Sequence, residues 1–326
     1  MHPFTKISSE SIAQIGERKL LEKIRLWLGE TAPPAPHGMG DDTAVLPFEV
    51  DPFNLITTDT LAYKCHFDDT VSPQQAGAKL IKRNLSDIAA MGGTPSSAVI
   101  SLFLPPTLRL DWLSAFYTGV RDESINSNIK IVGGDLCETK DFLGAQLTLW
   151  GNAHRPITRT GAESGDFIYV SGTLGGSRCG KHVDFSPRMA EGKWLAEQSN
   201  VHSMIDITDG LMKDLPTLIP PACVAALSIK SLPISEAAKT LSAEDDKIAA
   251  HHALNDGEDY ELLFTLSNKC DSDLFHKKWS ERFEIPLTRI GEMMENINQN
   301  RPLRIINLDT GHELEERGGY EHFRAS

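Results

Sequence analysis

Aspartates beside glycines and hydroxyl residues recur in this chain where apolar runs end. Four such places are Gly40-Asp41-Asp42, Thr57-Thr58-Asp59, Gly133-Gly134-Asp135 and Ile205-Asp206-Ile207-Thr208-Asp209-Gly210. A fifth acid, Asp87, falls on a predicted helix whose neighbours Leu85, Ile88 and Ala89 read as buried. A carboxylate next to a core is unfavourable unless it is paired or holds a metal. Few lysines or arginines stand near these acids in the sequence. Hard divalent cations such as Mg2+ take oxygen ligands, often a few carboxylates together with substrate phosphates. Carboxylates converging from several strand ends are what a multi-metal phosphoryl-transfer site requires. Each acid also has a structural reading, because an Asp after a strand forms turns and caps helices. Asp209 before Gly210-Leu211 has the form of an N-cap, and Asp41-Asp42 that of a solvated turn. Five such places weigh against an all-structural reading, but spacing alone leaves both open.

A second phosphate-like pattern fails on inspection. Gly175-Gly176-Ser177-Arg178-Cys179-Gly180-Lys181-His182 nearly matches a P-loop and follows a predicted strand. A P-loop needs a hydroxyl after its lysine to bind Mg2+, and here that position is His182. These glycines are expected to make a tight turn into a helix, whose N–H groups could assist phosphate binding.

The elements that must position these groups alternate along the chain. An apolar stripe through Leu20, Leu21, Ile24, Trp27 and Leu28 predicts a helix over 18–28, ended by Gly29. Beyond the Pro-rich stretch 32–36, strands are predicted at 53–57, 98–104, 129–132 and 145–151, with helices at 74–91 and 112–125. The polar, turn-rich segment 155–165 places a domain boundary near residue 155, giving domains 1–155 and 156–326. The second half opens with a strand at 166–171. A short strand ending at Ile207, a helix from Asp209-Gly210, and strands at 260–266 and 302–306 follow. This alternation predicts α/β layers in both halves.

Composition bounds the function classes. The 326 residues are 40% hydrophobic and 24% charged, as in an ordinary globular protein. The net charge of −13 disfavours nucleic acid and anionic membranes as partners, since both select basic surfaces. Five scattered cysteines without a C-x-x-C pair indicate neither a disulfide framework nor a zinc site. No signal-peptide core and no apolar run near the ~20 residues of a membrane span are visible, so a cytoplasmic location is expected.

Eight blocks then stand in a telling order: Gly40–Leu46, Thr57–Leu61 with His66-Phe67, Asn84–Gly92, Gly133–Asp135, Arg159–Ala162, Asp206–Leu211, Gly257–Leu262 and Gly319–Phe323. Over nearly its whole length the chain resembles the thiamine-monophosphate kinases, of the superfamily that includes aminoimidazole-ribonucleotide synthetase. Asn84-Leu85-Ser86-Asp87 and Gly257-Glu258-Asp259-Tyr260-Glu261-Leu262 are the most specific blocks. The resemblance implies ATP-dependent phosphorylation of thiamine monophosphate by direct, Mg2+-assisted transfer. It implies that several Mg2+ ions are held by Asp42, Thr57, Thr58, Asp59, Asp87, Asp135, Asp206 and Asp209, some through backbone or hydroxyl oxygens. Among these, Asp42, Asp87, Asp135 and Asp209 would carry the catalytic charge. ATP would meet Tyr117, Gly134, Asp135, Arg159 and Thr208; thiamine monophosphate would meet His66, Glu258 and Tyr320. The implied fold is a two-domain α/β (α+β) architecture like that of aminoimidazole-ribonucleotide synthetase. Its N-terminal domain would bind ATP and Mg2+ and pair sheets across a homodimer. A related ATP-dependent synthetase and a non-catalytic nucleotide-binding homologue are the alternatives. One departure is local: Asp184-Phe185-Ser186-Pro187-Arg188 arrives early, shortening the helix that the family carries there.

Overall fold

The structure is a computed structural model that describes residues 2–12, 16–33, 53–245, 247–296 and 305–314. The chain divides into two compact units, Met1–Ile88 with Gly93–His154, and Ala89–Gly92 with Arg155–Ser326. In chain order the first half contains α1 (Gly16–Leu28), β1 (Phe53–Ala62), α2 (Pro73–Ala90), β2 (Thr94–Leu104), α3 (Leu110–Asn126), β3 (Lys130–Glu138) and β4 (Gly144–Ala153). The second half begins with β5 (Phe167–Ser171), α4 (Lys181–Asp184), α5 (Met189–Glu197), β6 (Val201–Asp206), α6 (Leu211–Asp214) and β7 (Cys223–Leu227). It continues with α7 (Glu236–Ser242), α8 (Ala249–Asn255), β8 (Leu262–Leu266), α9 (Ser272–Ser280), β9 (Leu287–Glu295) and β10 (Ile305–Asn307).

The first unit is built on a four-stranded sheet in the order β1-β4-β2-β3, antiparallel except for the parallel pair β2–β3. Its two faces follow from a period of two. Ala145, Leu147 and Leu149 of β4 are buried, while Gln146, Thr148 and Trp150 between them are only half-buried. The buried face shares the core with Leu80, Ile81, Leu85 and Ile88 of α2 and with Trp112, Leu113 and Phe116 of α3. The other face is open among the described residues, and Ile56 is 64% exposed on it.

Two strands here run further than the sequence predicts. Residues 53–57 continue to Ala62 as β1, because the alternating Thr and Leu residues go on pairing with β4 down to Ala62↔Gly144. Residues 129–132 continue as β3 to Glu138 beside β2, past a bulge at Ala98/Val99. Asp59 and Asp135 therefore sit inside strands rather than at their ends.

The second unit has a six-stranded sheet, β10-β7-β9-β5-β8-β6, antiparallel except for β10–β7. β7 and β8 are buried along their whole lengths, so their side chains are apolar on both faces except Thr265, whose hydroxyl is paired with Ser203 at 2.8 Å. One face packs Ile168, Val170, Ile205, Leu211, Leu215 and Leu263. The opposite face packs Tyr169, Met204, Phe264 and Phe275 around Trp194 and Trp279. The strand predicted at 260–266 begins only at Leu262, because Tyr260 has a left-handed backbone, φ 51°, that no strand admits. Of the strand predicted at 302–306, residues 302–304 lie outside the described residues, and β10 occupies Ile305–Asn307.

Candidate active site

Within the first unit the pleat divides the expected ligands. Thr57 and Asp59 alternate with Thr58 along β1, so they point to opposite faces of the sheet. Thr57 donates its hydroxyl to the carboxylate of Asp87, which α2 brings over the buried face. Asp59 on that same face meets the guanidinium of Arg83 at 3.2 Å. Few cations were expected near these acids, but α2 places Arg83 one turn before Asp87. Thr58 instead faces the open side. It donates to the Leu147 carbonyl at 3.0 Å and accepts from Gln146 and Thr148, each at 3.1 Å. The cross-strand row Thr60, Gln146, Ser101 and Asp135 puts the Asp135 side chain on the open side as well. Gly134 stands beside it because β3 runs close to β2: a Cβ at this position would lie 2.0 Å from the Ile100 carbonyl oxygen.

His66 lies in the turn after β1. Its Nδ1 accepts the Ala62 N–H at 3.0 Å, so a neutral ring carries its proton on Nε2. Its carbonyl is held by the buried Lys79 ammonium at 2.9 Å. Tyr117 does not fit the nucleotide contact expected of it. Its ring is 3% exposed, packed against Trp27 and edge-on to Phe116, and burial pushes its hydroxyl far above its usual range. Asp42 and Tyr320 lie outside the described residues.

In the second unit β6 ends at the buried Asp206, and the chain turns through Ile207, Thr208 and Asp209 into α6. Asp209 is not the N-cap that its position suggests. Gly210 occupies the cap, and one oxygen of Asp214 accepts the N–H groups of Thr208, Asp209 and Gly210 at 2.9, 3.0 and 3.2 Å. Burial pushes Asp214 up to about 7 despite these three donors. The Asp209 carboxylate is left to pair with Lys213 at 3.0 Å, one helical turn on. Arg159 is exposed, on a segment tied to β6 by the Met204 N–H on the Thr158 carbonyl at 3.1 Å.

The Gly257–Glu261 segment lies against this turn. Glu258 N–H donates to the Thr208 carbonyl at 2.7 Å, Tyr260 N–H to the Ile207 carbonyl at 2.9 Å, and Ile207 N–H to the Glu261 carbonyl at 2.9 Å. Gly257 adopts φ 71°, and a Cβ there would come within 2.8 Å of the Thr208 oxygen, so glycine is required. Tyr260 donates its hydroxyl to Glu258 at 3.1 Å and stacks on Phe185 with 3.8 Å between ring centroids. The glycine turn before α4 is not free to cradle a phosphate. The Gly175 N–H donates to Asp259 at 2.9 Å, and Lys181 turns inward to Thr173 and Glu261. The early Phe185–Arg188 stretch thus has a use, one ring on Tyr260 and one guanidinium on Glu261. Nothing local in the sequence marks these roles of Arg188, Lys181 and Asp214, because their partners are distant in the chain or are backbone amides.

Among the described residues no three His, Cys, Asp or Glu side chains gather closely enough to hold a metal ion. The oxygen-only donors in both units nonetheless have the chemistry that Mg2+ selects, and Thr57 with Asp87 forms a ready pair of such donors.

Residues 40–151 match the family model for the N-terminal domain of AIR synthase related proteins. The thiamine-monophosphate kinase of Rhodopirellula baltica is 34% identical over 266 residues, 79% of this chain and 83% of that protein. The chain belongs to the thiamine-monophosphate kinase family. Among solved structures, thiamine-monophosphate kinase from Stenotrophomonas maltophilia matches with a TM-score of 0.73 and 29% identity, covering 92% of this chain and 98% of its own. AaThiL complexed with AMPPCP and TMP matches with a TM-score of 0.71 and 29% identity, covering 96% and 98%. No helix among the described residues is long and apolar enough to cross a membrane.

Proposed function

We propose that this chain converts thiamine monophosphate to thiamine diphosphate by transferring the ATP γ-phosphate directly onto the acceptor phosphate. The observation that carries this reading is the backbone lock between the Asp206–Gly210 turn and the Gly257–Glu261 segment. It ties a turn suited to nucleotide and metal to a segment suited to the acceptor. The relative AaThiL was solved with AMPPCP, an ATP analogue, and TMP, which supports the same pair of substrates.

The acceptor is a phosphate already ionised at neutral pH, so no strong general base is needed and none is assigned. Asp42, Thr57, Thr58, Asp59, Asp87, Asp135, Asp206 and Asp209 would hold the Mg2+ ions, with Asp42, Asp87, Asp135 and Asp209 carrying the catalytic charge. When bound, Mg2+ would offset the negative charge that develops on the transferring group. Gly134, Arg159 and Thr208 would bind the nucleotide, and Arg159 is exposed as such a contact requires. His66, Glu258 and Tyr320 would bind the acceptor. Glu258 suits a cationic ring, since its carboxylate is one-third exposed and already takes the Tyr260 hydroxyl. The open face of the first sheet, on which Ile56 is exposed, is where we place a second copy of the chain in a homodimer. A cytoplasmic location completes the reading.

The test is product analysis after mixing the purified protein with ATP, Mg2+ and thiamine monophosphate. Thiamine diphosphate and ADP are expected in equal amounts. Failure to form the diphosphate, with turnover of another acceptor, would overturn the assignment.

A further inference from the structure

A cluster of charges is buried behind the Gly257–Tyr260 loop. Glu261, 1% exposed, receives Nε and Nη2 of Arg188 on its two oxygens, both at 2.7 Å. Lys181 donates to the same carboxylate at 2.9 Å and the Ser171 hydroxyl at 2.8 Å. A two-pronged guanidinium fixes the direction of a carboxylate as well as its place. Asp259, two residues earlier, takes the Gly175 N–H and lies 3.8 Å from the Lys181 ammonium. Between and beside these anchors stand two residues in unfavourable backbone conformations, Glu258 at φ 50° and Tyr260 at φ 51°. Such conformations persist in non-glycine residues only where the surroundings over-determine them. The anchors supply that constraint, and Glu258 is the residue whose direction it sets.

We propose that Arg188 and Lys181 are positioning residues for the acceptor. Acting through Glu261 and Asp259, they hold the strained loop against Ile207 and Thr208, so that the Glu258 carboxylate faces the cationic ring of thiamine monophosphate. Neither needs to touch the substrate. The inference rests on Glu258 being the acceptor-binding carboxylate of the proposed function. Without the Arg188 fork, Glu261 keeps one cation but loses its fixed direction, and residues 258–260 relax toward ordinary backbone. Thr208 stays tied to Asp214 through its own N–H, so the nucleotide side is expected to change less.

The test uses the full chain with Arg188→Lys and Arg188→Gln. We expect KM for thiamine monophosphate to rise about tenfold or more, with kcat and KM for ATP within about threefold, since small misplacements of a binding group act strongly on what it binds. The backbone N–H groups of Glu258 and Tyr260 should exchange with deuterium faster than in the parent. In a Glu258→Gln background, Arg188→Gln should add little further to that KM, because both changes act through one carboxylate. Additive effects, or unchanged KM with a lowered melting temperature, would show that the cluster only stabilises the fold. If Arg188→Gln fails to fold, Arg188→Lys carries the test, because it keeps the charge and loses the fork. If the parent itself does not phosphorylate thiamine monophosphate, the functional reading fails, and amide exchange alone decides. Equal exchange at Glu258 and Tyr260 in parent and variant then overturns the inference.

Discussion

The Glu258 amide meets the Thr208 carbonyl across 2.7 Å, so the residue proposed for the acceptor and the one proposed for the nucleotide are tied backbone to backbone across two neighbouring segments. A phosphate and the phosphoryl group it attacks must be held near contact distance, and on the proposed reading this tie removes much of the freedom opposing that geometry.

Glu258→Gln removes the negative charge but keeps the acceptor for the Tyr260 hydroxyl. KM for thiamine monophosphate should rise about tenfold, equivalent to about 1.4 kcal/mol of binding, with KM for ATP little changed. Initial rates with each substrate varied in turn check this. Equal changes in both constants would remove Glu258 from the acceptor site.

Asp87→Asn keeps an acceptor for the Thr57 hydroxyl and discards the charge. The turnover rate should fall on the order of 100-fold or more, the scale of lost electrostatic stabilisation of a transition state. A rate within about threefold of the parent corresponds to less than ~1 kcal/mol of barrier and would take Asp87 out of the metal set.

Removal of divalent cations by a chelator should abolish phosphoryl transfer, and added Mg2+ should restore it. Activity that persists in excess chelator would contradict the assignment of the oxygen donors.

Burial pushes Asp259 from 3.8 up to about 7, against the opposing pull of Lys181 and the Gly175 amide. Its folded-state pKa is raised, so its stabilising contribution is complete below about 4 and is lost as pH climbs through about 7. Asp259→Asn should flatten the dependence of melting temperature on pH across this window. A slope identical to that of the parent would assign the effect to another group.

Gly134→Ala would place a methyl 2.0 Å from the Ile100 oxygen, where backbone rather than a pliable side chain must yield. The expected loss is about 1–3 kcal/mol, as for other over-packed sites, read as a lower urea midpoint.

Much of this was legible in the residues. The stripe through Leu80, Ile81, Leu85 and Ile88 has helical period, and α2 lies where that period places it. The acids were found by type, and the family by their order. What stayed hidden was pairing at long sequence separation. Thr58 and Thr57 look equivalent until the pleat of β1 sends them to opposite faces. The blocks around Glu261 and Arg188 are both visible, but nothing local says that one guanidinium grips the other's carboxylate. The apolar residues after Tyr260 predict that it opens a strand, whereas its amide is held by the Ile207 carbonyl on a neighbouring segment and its backbone is left-handed.

The glycine turn at Gly175 has one more consequence. Its inward N–H is taken by Asp259, so the protein's own carboxylate occupies a donor of the kind that a P-loop turns toward phosphate. An anion reaching this turn would first have to displace an internal carboxylate.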